Sequence, residues 1–314
     1  MYLFSSILGV FVFDDKCSIV DKVLYASSGD YKNKEKYMLE MQERHRNAQV
    51  PDRKALAKIL LHFKDNGYFK DFYAKNLELT KLDLKNSVGT DTLIIQAINS
   101  IEDIDKVINV LSKRLREWYE LHNPEYSMAT RNSENFVVEI SEKGKKELLG
   151  PLKIKVEDSF GADLAQEDLE PIKSLAHQLY GLHQLKKNLI EYISTSMDDF
   201  CPNLKAVCDP ILAAKLIEHS GSLKRLSQMP SSTIQILGAE QALFRHLKTG
   251  SKPPRHGVIV GHELFAKALN NMHGKIARAI ADKVSIASKI DYFNGKYIGD
   301  SLRKELWAKF EWIQ

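Results

Sequence analysis

Residues 94–118 read IIQAINSIEDIDKVINVLSKRLREW, and their large apolar side chains recur at intervals of three and four residues. This spacing places one narrow apolar seam along a helix, which is the pattern that coiled-coil packing requires. At 3.6 residues per turn, the seam covers roughly seven turns. The residues that form it are Ile94, Ile98, Ile101, Ile104, Ile108, Leu111, Leu115 and Trp118.

A second stretch, residues 172–197, repeats the pattern as IKSLAHQLYGLHQLKKNLIEYISTSM. Its seam residues are Ile172, Leu175, Leu179, Leu182, Leu185, Leu189, Ile193 and Met197. The two seams can pair with each other, with another subunit, or with both. The alternative is two amphipathic helices packed on one globular core, although the length of the seams favours a coiled coil. Residues 125–160, which lie between the seams, are a polar insert with no clear chemistry.

Residues 1–88 have the pattern of a small α/β domain. Apolar, β-branched and aromatic runs at residues 2–13 and 18–25 flank Asp14-Asp15, which predicts a hairpin. The first run has no basic segment before it and is too short to span a bilayer, so we interpret it as a buried strand and not as a signal peptide.

The same domain is predicted to contain two helices and to end in a linker. The helices are expected over residues 32–46 and 52–64. The second is preceded by Pro51 and followed by Asn66-Gly67, which are typical start and stop residues. Residues 86–89 are predicted to be the linker.

From Cys201 onward, short apolar stretches alternate with proline and glycine, which predicts an all-α domain over residues 201–314. Within it, residues 238–256 read GAEQALFRHLKTGSKPPRH. Helical spacing places three polar residues on one face, namely Gln241, Arg245 and Lys248. It also predicts that three apolar residues face the core, namely Leu243, Phe244 and Leu247.

Positive charge is concentrated around this stretch. The whole chain has a net charge of only +4, whereas residues 238–283 contain eight basic and three acidic residues. Consecutive prolines stiffen the loop at 251–256, which holds the charges of Lys252 and Arg255 in place. Such a patch suits contacts with RNA phosphates. A merely solvated helical face is the alternative interpretation.

Several classes of site find no support in the sequence. Cys17, Cys201 and Cys208 form no CxxC pair, and the spacing of His256, His262 and His273 matches no metal motif, so no metal site is predicted. No nucleotide-binding, hydrolase or metalloprotease motif is found, so we predict neither catalysis nor a cofactor. His246 and His256 are better explained as hydrogen-bond donors to phosphate or as stacking partners for a base.

The run GAEQALFRHLKTGSKPPRHGVI, residues 238–259, resembles the signature of the Nop domain. Flanking matches are MDDFCPNL at 197–204, PSSTIQILG at 230–238 and KIARAIADKVSIASKID at 275–291. The sequence departs from the family at Gln241, where lysine is common, and it lacks the usual proline after His262. The resemblance covers most of the chain.

The resemblance implies a mainly α, non-catalytic scaffold of the box C/D 2′-O-methylation ribonucleoprotein. Residues 1–88 would bind fibrillarin, an S-adenosylmethionine-dependent methyltransferase. Residues 89–200 would form an antiparallel coiled coil that makes a homodimer. Residues 201–314 would bind guide RNA together with its kink-turn-binding protein. The chain would lie in the cytoplasm of an archaeal cell, or in the nucleolus if eukaryotic, and not in a membrane.

The resemblance and the charge pattern together predict two sets of site residues. The expected RNA-binding residues are Gln235, Gly238, Ala239, Glu240, Gln241, Arg245, His246, Lys248, Thr249, Lys252, Arg255, His256, Lys275 and Arg278. The expected dimerisation residues are Ile104, Ile108, Leu111, Leu175, Leu179, Leu182 and Leu189. Two other functions stay open, a splicing-type factor that binds snRNA and a coiled-coil adaptor that binds no RNA.

Overall fold

The computed structural model of the chain describes residues 1–65 and 67–311. The chain divides into two compact units, Met1–Gly89 and Thr90–Gln314. The first contains a small antiparallel sheet with helices on it, and the described part of the second is helical. The fold class predicted from the sequence, mainly α with a small α/β N-terminal domain, is therefore confirmed.

The sheet of the first unit has three antiparallel strands in the order β1-β2-β3. The strands are β1 (Tyr2–Ser6), β2 (Gly9–Phe13) and β3 (Ile19–Leu24). The run predicted as one strand over residues 2–13 is instead a hairpin of its own, because the chain turns between Ser6 and Gly9. The Asp14 carboxylate accepts hydrogen bonds from the backbone N–H groups of Lys16 and Ser18, which shapes the second turn.

Three helices cover the sheet: α1 (Lys34–Arg44), α2 (Arg53–Asp65) and α3 (Tyr68–Ser87). The buried strand β2 sends Phe11 and Phe13 into one apolar cluster, which includes Ile59 of α2. On its other face, Val10 and Val12 pack with Met41 of α1. A strand buried on both faces reads as a continuous apolar run, as this one does. Helix α3 was not predicted from the sequence. It includes residues 86 and 87 of the expected linker, so the linker prediction is wrong for those two residues.

The two seam helices of the second unit are α4 (Thr90–Glu120) and α8 (Gln166–Phe200), and they pack antiparallel. Ile98 near the start of α4 shares a core with Ile193 near the end of α8. Leu115 near the end of α4 shares another with Ile172 near the start of α8. The antiparallel coiled coil predicted from the sequence is therefore observed, and of the pairings that the sequence left open, the two seams pair with each other.

Two seam assignments are wrong. Trp118 and Leu185 are 38% and 46% exposed, whereas Tyr119, one position further along α4, is buried. Trp118 is the last position of its seam, where exact heptad spacing has drifted around a helix of 3.6 residues per turn. Leu185 lies in the middle of α8, and this drift does not account for its exposure.

The insert between the seams is more ordered than its polar composition indicated. It folds into α5 (Pro124–Ala129), α6 (Ser133–Glu142) and α7 (Lys145–Leu149). Phe136, Val137 and Ile140 of α6 are buried against the α4–α8 pair. A third helix therefore packs along part of the coiled coil.

In the described chain eight α-helices follow α8, and all of them are shorter than α8. They are α9 (Pro202–Val207), α10 (Pro210–Ser220), α11 (Leu223–Gln228), α12 (Ser231–Ile236), α13 (Glu240–Thr249), α14 (Glu263–Lys267), α15 (His273–Tyr292) and α16 (Gly299–Ala308). Proline begins α9 and α10, where its missing N–H costs nothing. One core joins these helices, except α13, to the start of α4 and the end of α8. The domain boundary expected between residues 200 and 201 stays a prediction.

A buried polar network joins α9, α15 and α16. The Asp291 carboxylate accepts hydrogen bonds from the backbone and side-chain amides of Asn203 and from the backbone N–H of Leu204, at 2.7–3.1 Å. Asn203 Oδ1 in turn accepts the backbone N–H of Ile298, which precedes α16. Among the residues that the structure describes, no helix has the length and apolar character needed to cross a membrane.

Candidate nucleic-acid interface

The signature segment leaves the domain at the end of α12, forms α13, and returns as the loop 251–257. The loop is anchored beside α12 by three hydrogen bonds. Gly257 N donates to Gln235 O at 2.9 Å, Val258 N donates to Leu237 O at 2.8 Å, and Gln235 Nε2 donates to Arg255 O at 2.8 Å. Both ends of α13 are therefore held at the same place.

Two glycines permit this close approach. A Cβ on Gly257 would lie 1.8 Å from the carbonyl oxygen of Leu237, so no other residue fits there. Gly238 has φ of 84°, and its Cβ would lie 2.4 Å from a methyl carbon of Val258. The backbone at Gly238 also has the left-handed conformation that glycine adopts most easily.

Helix α13 exposes two of the three apolar residues that the sequence predicted to face the core. Phe244 is 59% and Leu247 69% exposed, and none of the ten helical residues is buried. Only Ala242, Leu243 and His246 are partly covered by the protein. An amphipathic helix has the same pattern whether its apolar face meets its own core or another molecule, so the sequence did not distinguish the two.

The exposed side of α13 has two adjacent stripes. Phe244 and Leu247 form the apolar stripe, and Gln241, Arg245 and Lys248 form the polar stripe beside it. No acidic side chain in the described part of the chain pairs with Arg245 or Lys248. The helix therefore offers apolar area and positive charge side by side.

Several residues predicted to bind RNA make hydrogen bonds within the segment. Glu240 Oε1 accepts the backbone N–H of Gly238 at 2.7 Å, and Thr249 Oγ1 donates to the carbonyl of Arg245 at 2.8 Å. The His246 Nδ1 atom contacts the carbonyl oxygen of Ser251. These contacts maintain the shape of the segment, and direct RNA binding by these residues stays a prediction.

The three clustered histidines do not meet at a common point. His256 packs its ring against Phe265 at 5.4 Å and His273 at 5.8 Å between ring centroids, and its pKa is lowered by burial and then by the charges of His273 and Arg255. His262 is buried elsewhere, where its Nε2 lies 3.1 Å from the carbonyl oxygen of Val207. Residues 1–65 and 67–311 contain no cluster suited to a metal ion.

The remaining predicted cations line a concave surface beside the loop. Arg255, Lys275 and Arg278 surround a cavity of about 400 Å³ with Gln235 and Asn271. All three cations are exposed, as is Lys252, whereas Gln235 is half-buried. Sequence reasoning missed Asn271, which has no charge or motif to distinguish it.

Comparisons with known proteins decide the family. The Nop family profile, described as a snoRNA binding domain and fibrillarin, matches residues 100–312. The chain belongs to the Nop family. The resemblance stated from residues 238–259 is therefore confirmed, and the Nop profile covers the signature segment, α4 from residue 100 onward, all of α8 and the helices after it.

Three similar proteins illustrate the relationship. An uncharacterized NOP5 family protein of Methanocaldococcus jannaschii is 37% identical over 273 residues, which are 80% of this chain and 66% of the relative. Nucleolar protein 58 of Aspergillus clavatus is 37% identical over 215 residues, which are 64% of this chain and 36% of the relative. A crystal structure described as a fibrillarin/Nop5p complex aligns at 21% identity with a TM-score of 0.47, covering 99% of this chain and 100% of that one. The chain thus spans about two thirds of the length of the NOP5 family relative and about a third of the length of nucleolar protein 58.

Proposed function

We propose that this Nop protein is a non-catalytic scaffold of a box C/D ribonucleoprotein, which links fibrillarin to guide RNA and its kink-turn-binding protein. The observation that supports this most directly is that the exposed side of α13 has an apolar stripe and a polar stripe next to each other. A helix that exposes a cationic stripe beside Phe244 and Leu247 suits a composite partner, one part nucleic acid and the other part protein.

The cationic stripe is suited to the sugar–phosphate backbone. Arg245 and Lys248 project from the same side of α13, and Lys252 and Arg255 follow on the anchored loop. Because the loop is fixed at Gly257 and stiffened by two prolines, these charges need little ordering when RNA binds. Gln241 stands where many family members have lysine, and its amide can still donate to a phosphate or a base.

The apolar stripe is suited to the protein part of the composite partner. The exposed side chains of Phe244 and Leu247 gain no stabilisation from contact with water. An aromatic side chain beside a rim of polar residues is typical of protein interfaces. We assign this stripe to the kink-turn-binding protein. RNA binding would then require that protein to be in place.

The N-terminal unit offers a separate apolar groove for fibrillarin. The groove has a volume of about 230 Å³ and is lined mainly by Phe4, Leu60, Phe63, Phe69 and Phe72. Leu60 and Phe69 are more than half exposed. The methyl transfer would belong to fibrillarin, and the scaffold would lower its barrier by holding the enzyme and its RNA substrate together.

Homodimerisation is proposed through a surface that differs from the predicted one. The seven residues predicted to form the dimer pack within the chain, in the two cores along α4 and α8. A different stripe on and just after α4 remains exposed, and it consists of Val107, Val110, Trp118 and Leu121, which are 45%, 66%, 38% and 63% exposed. Together with Arg114, which lies between Val110 and Trp118, these residues are spaced by three or four positions and therefore form a second seam. A second copy of the chain can cover this seam.

A double dissociation tests the scaffold proposal. Arg245→Glu with Lys248→Glu should abolish the slower-migrating complex with guide RNA and its kink-turn-binding protein, because reversed charges repel phosphates, and should leave fibrillarin binding intact. Phe69→Asp should weaken fibrillarin binding and leave the RNA complex intact. Lys296→Glu, beyond the far end of α15, is the control for charge.

Other outcomes would support the alternatives. If the wild-type chain forms no RNA complex and its self-association does not weaken with salt, it is a coiled-coil adaptor. If it binds an snRNA stem with the kink-turn-binding protein but never retains fibrillarin, it is a splicing-type factor.

A further inference from the structure

Helix α2 of the N-terminal unit has a one-sided charge. It contains four cations, whereas its one acid is Asp65 at the last position. Helices α1 and α3 of the same unit mix both signs, with three basic and three acidic residues in α1 and four basic and three acidic residues in α3. The positive charge of α2 is therefore not a general property of the helices in this unit. The four cations are Arg53, Lys54, Lys58 and Lys64.

The cations of α2 lie on the side of the helix that faces away from the sheet. All four are exposed, and Ala57 and Leu61 are exposed between them. Ile59 and Phe63, on the opposite side, are buried in the apolar cluster with β2. Among the side chains that the structure describes, no ion pair joins any of the four cations to an acid. At ~1.5 Å per residue, this cationic face of α2 is roughly 16 Å long.

The positions of Arg53 and Lys54 do not serve the stability of the helix. They are its first two residues, and the first turn contains no acid. The helix dipole places partial positive charge at this end, so cations there are unfavourable for the fold. The Asp52 carboxylate, just before the helix, accepts the backbone N–H of Ala55 at 2.7 Å. Exposed cations that do not stabilise the helix are better explained by the binding of a ligand.

The cationic face of α2 adjoins the apolar groove that we assign to fibrillarin. Leu60 and Lys64 of α2 line that groove together with Phe4, Phe69 and Phe72. Lys64 thus belongs to the edge of both surfaces. An enzyme seated in the groove would have the remaining cations of α2 beside it.

The face offers contacts to phosphate and none that read a base sequence. Its described residues include no aromatic side chain of the kind on which proteins stack unpaired bases. Lysine and arginine neutralise the phosphates of an RNA of any sequence. An enzyme directed by a guide acts on RNAs that differ in sequence, so a contact with the sugar–phosphate backbone suits every such substrate.

We propose that the cationic face of α2 binds the sugar–phosphate backbone of the RNA that fibrillarin methylates. The proposal rests on the proposed function, because fibrillarin in the neighbouring groove is what brings that RNA to α2. The N-terminal unit then holds the substrate RNA as well as the enzyme.

Steady-state methylation by the assembled complex tests the proposal. The complex contains the full chain, fibrillarin, guide RNA and its kink-turn-binding protein. Lys54→Glu with Lys58→Glu should raise the KM for substrate RNA several-fold and leave kcat unchanged, because only binding is weakened. The salt slope of substrate binding should fall by about two, since two phosphate contacts are lost.

Lys81→Glu with Lys85→Glu is the matched control, because it reverses two exposed charges at the same spacing on α3. It should leave the KM unchanged. The α2 variant should be at least as stable as the wild type to thermal unfolding, since an acidic side chain near the start of a helix is favourable. Such stability would exclude misfolding as the cause of a raised KM.

An unchanged KM, or an equal rise in the control, would overturn the proposal. So would loss of fibrillarin from the α2 variant in a pull-down, which would assign the face to an acidic surface of the enzyme. A wild-type chain that retains no fibrillarin and assembles with no guide RNA would refute the proposed function itself.

Discussion

At the residue scale, the carboxylate of Asp291 is a buried acceptor of three hydrogen bonds in the Nop domain. It satisfies three N–H donors at the start of α9, in a place where Asn203 is almost fully buried. Buried donors without partners cost roughly 1–3 kcal/mol each, so one acid holds two helices in register. The sequence match at residues 197–204 included Asn203, but its partner lies 88 positions away.

Removal of this carboxylate should destabilise the protein. Asp291→Ala is expected to lower the free energy of unfolding by about 3 kcal/mol or more, because the Asn203 and Leu204 donors lose their acceptor. Asp282→Ala, an exposed change on the same helix, should have little effect. Chemical denaturation measures both, and equal stability of the two variants would contradict the structural role of the network.

The cysteines provide a second prediction at this scale. Burial, and then the nearby negative charges of Asp291 and Asp209 respectively, raise the pKa of the Cys201 and Cys208 thiols. The thiols should therefore resist alkylation at pH 8 in the folded protein and react once it is unfolded. The raised pKa also makes the stability of the fold depend on pH. Below the unfolded pKa of about 8.5 the thiols are protonated in both states, and their contribution to stability is fully present. It is lost as the pH rises above that value, because the unfolded state then releases protons that the folded state keeps. Rapid labelling of both cysteines in the native protein, followed by mass spectrometry, would disprove their burial.

At the scale of elements, α13 shows that amphipathicity does not reveal what covers a helix. Leu243, Phe244 and Leu247 recur at the spacing of a core face, and the sequence analysis placed them there. In the structure, the glycine turns at both ends of α13 hold it so that Phe244 and Leu247 face outward. Its two exposed stripes are the basis of the proposed interface.

The two interpretations of α13 predict different effects of mutation. Phe244→Ser with Leu247→Ser should change the free energy of unfolding by less than about 1 kcal/mol, since the side chains are already exposed. A core position would instead lose roughly 2–5 kcal/mol. The same variant should fail to join the complex of RNA and kink-turn-binding protein in a mobility-shift assay. A large loss of stability would restore the original assignment to the core.

At the scale of the whole molecule, α4 carries two apolar seams with different roles. The inner seam, which contains Ile108, packs against α8 within the chain. Ile108 and Leu179 of α8 are both buried in the core between the two helices. The outer stripe, Val107, Val110, Trp118 and Leu121, stays exposed and is the surface proposed for the homodimer. An ion pair between Lys186 and Asp105, at 2.6 Å, also joins the two helices.

Light scattering of two variants separates these roles. Val110→Asp should give a folded monomer, since a charge would be buried in the dimer contact but is solvated in the single chain. Leu179→Asp should instead destabilise the α4–α8 pair itself, because that side chain is fully buried within the chain. If Val110→Asp retains the mass of a dimer, the outer stripe is not the interface.

The sequence by itself determined the helical seams, the basic signature segment and the family. These features depend on local spacing and residue type, which the chain displays without folding. Only the tertiary structure decided that Phe244 and Leu247 face outward and that the predicted dimer residues pack within the chain. The burial of a side chain depends on contacts with residues that are distant in the sequence, such as Gly257 with Leu237 or Asp291 with Asn203. A local sequence pattern does not indicate which distant residue will make the contact.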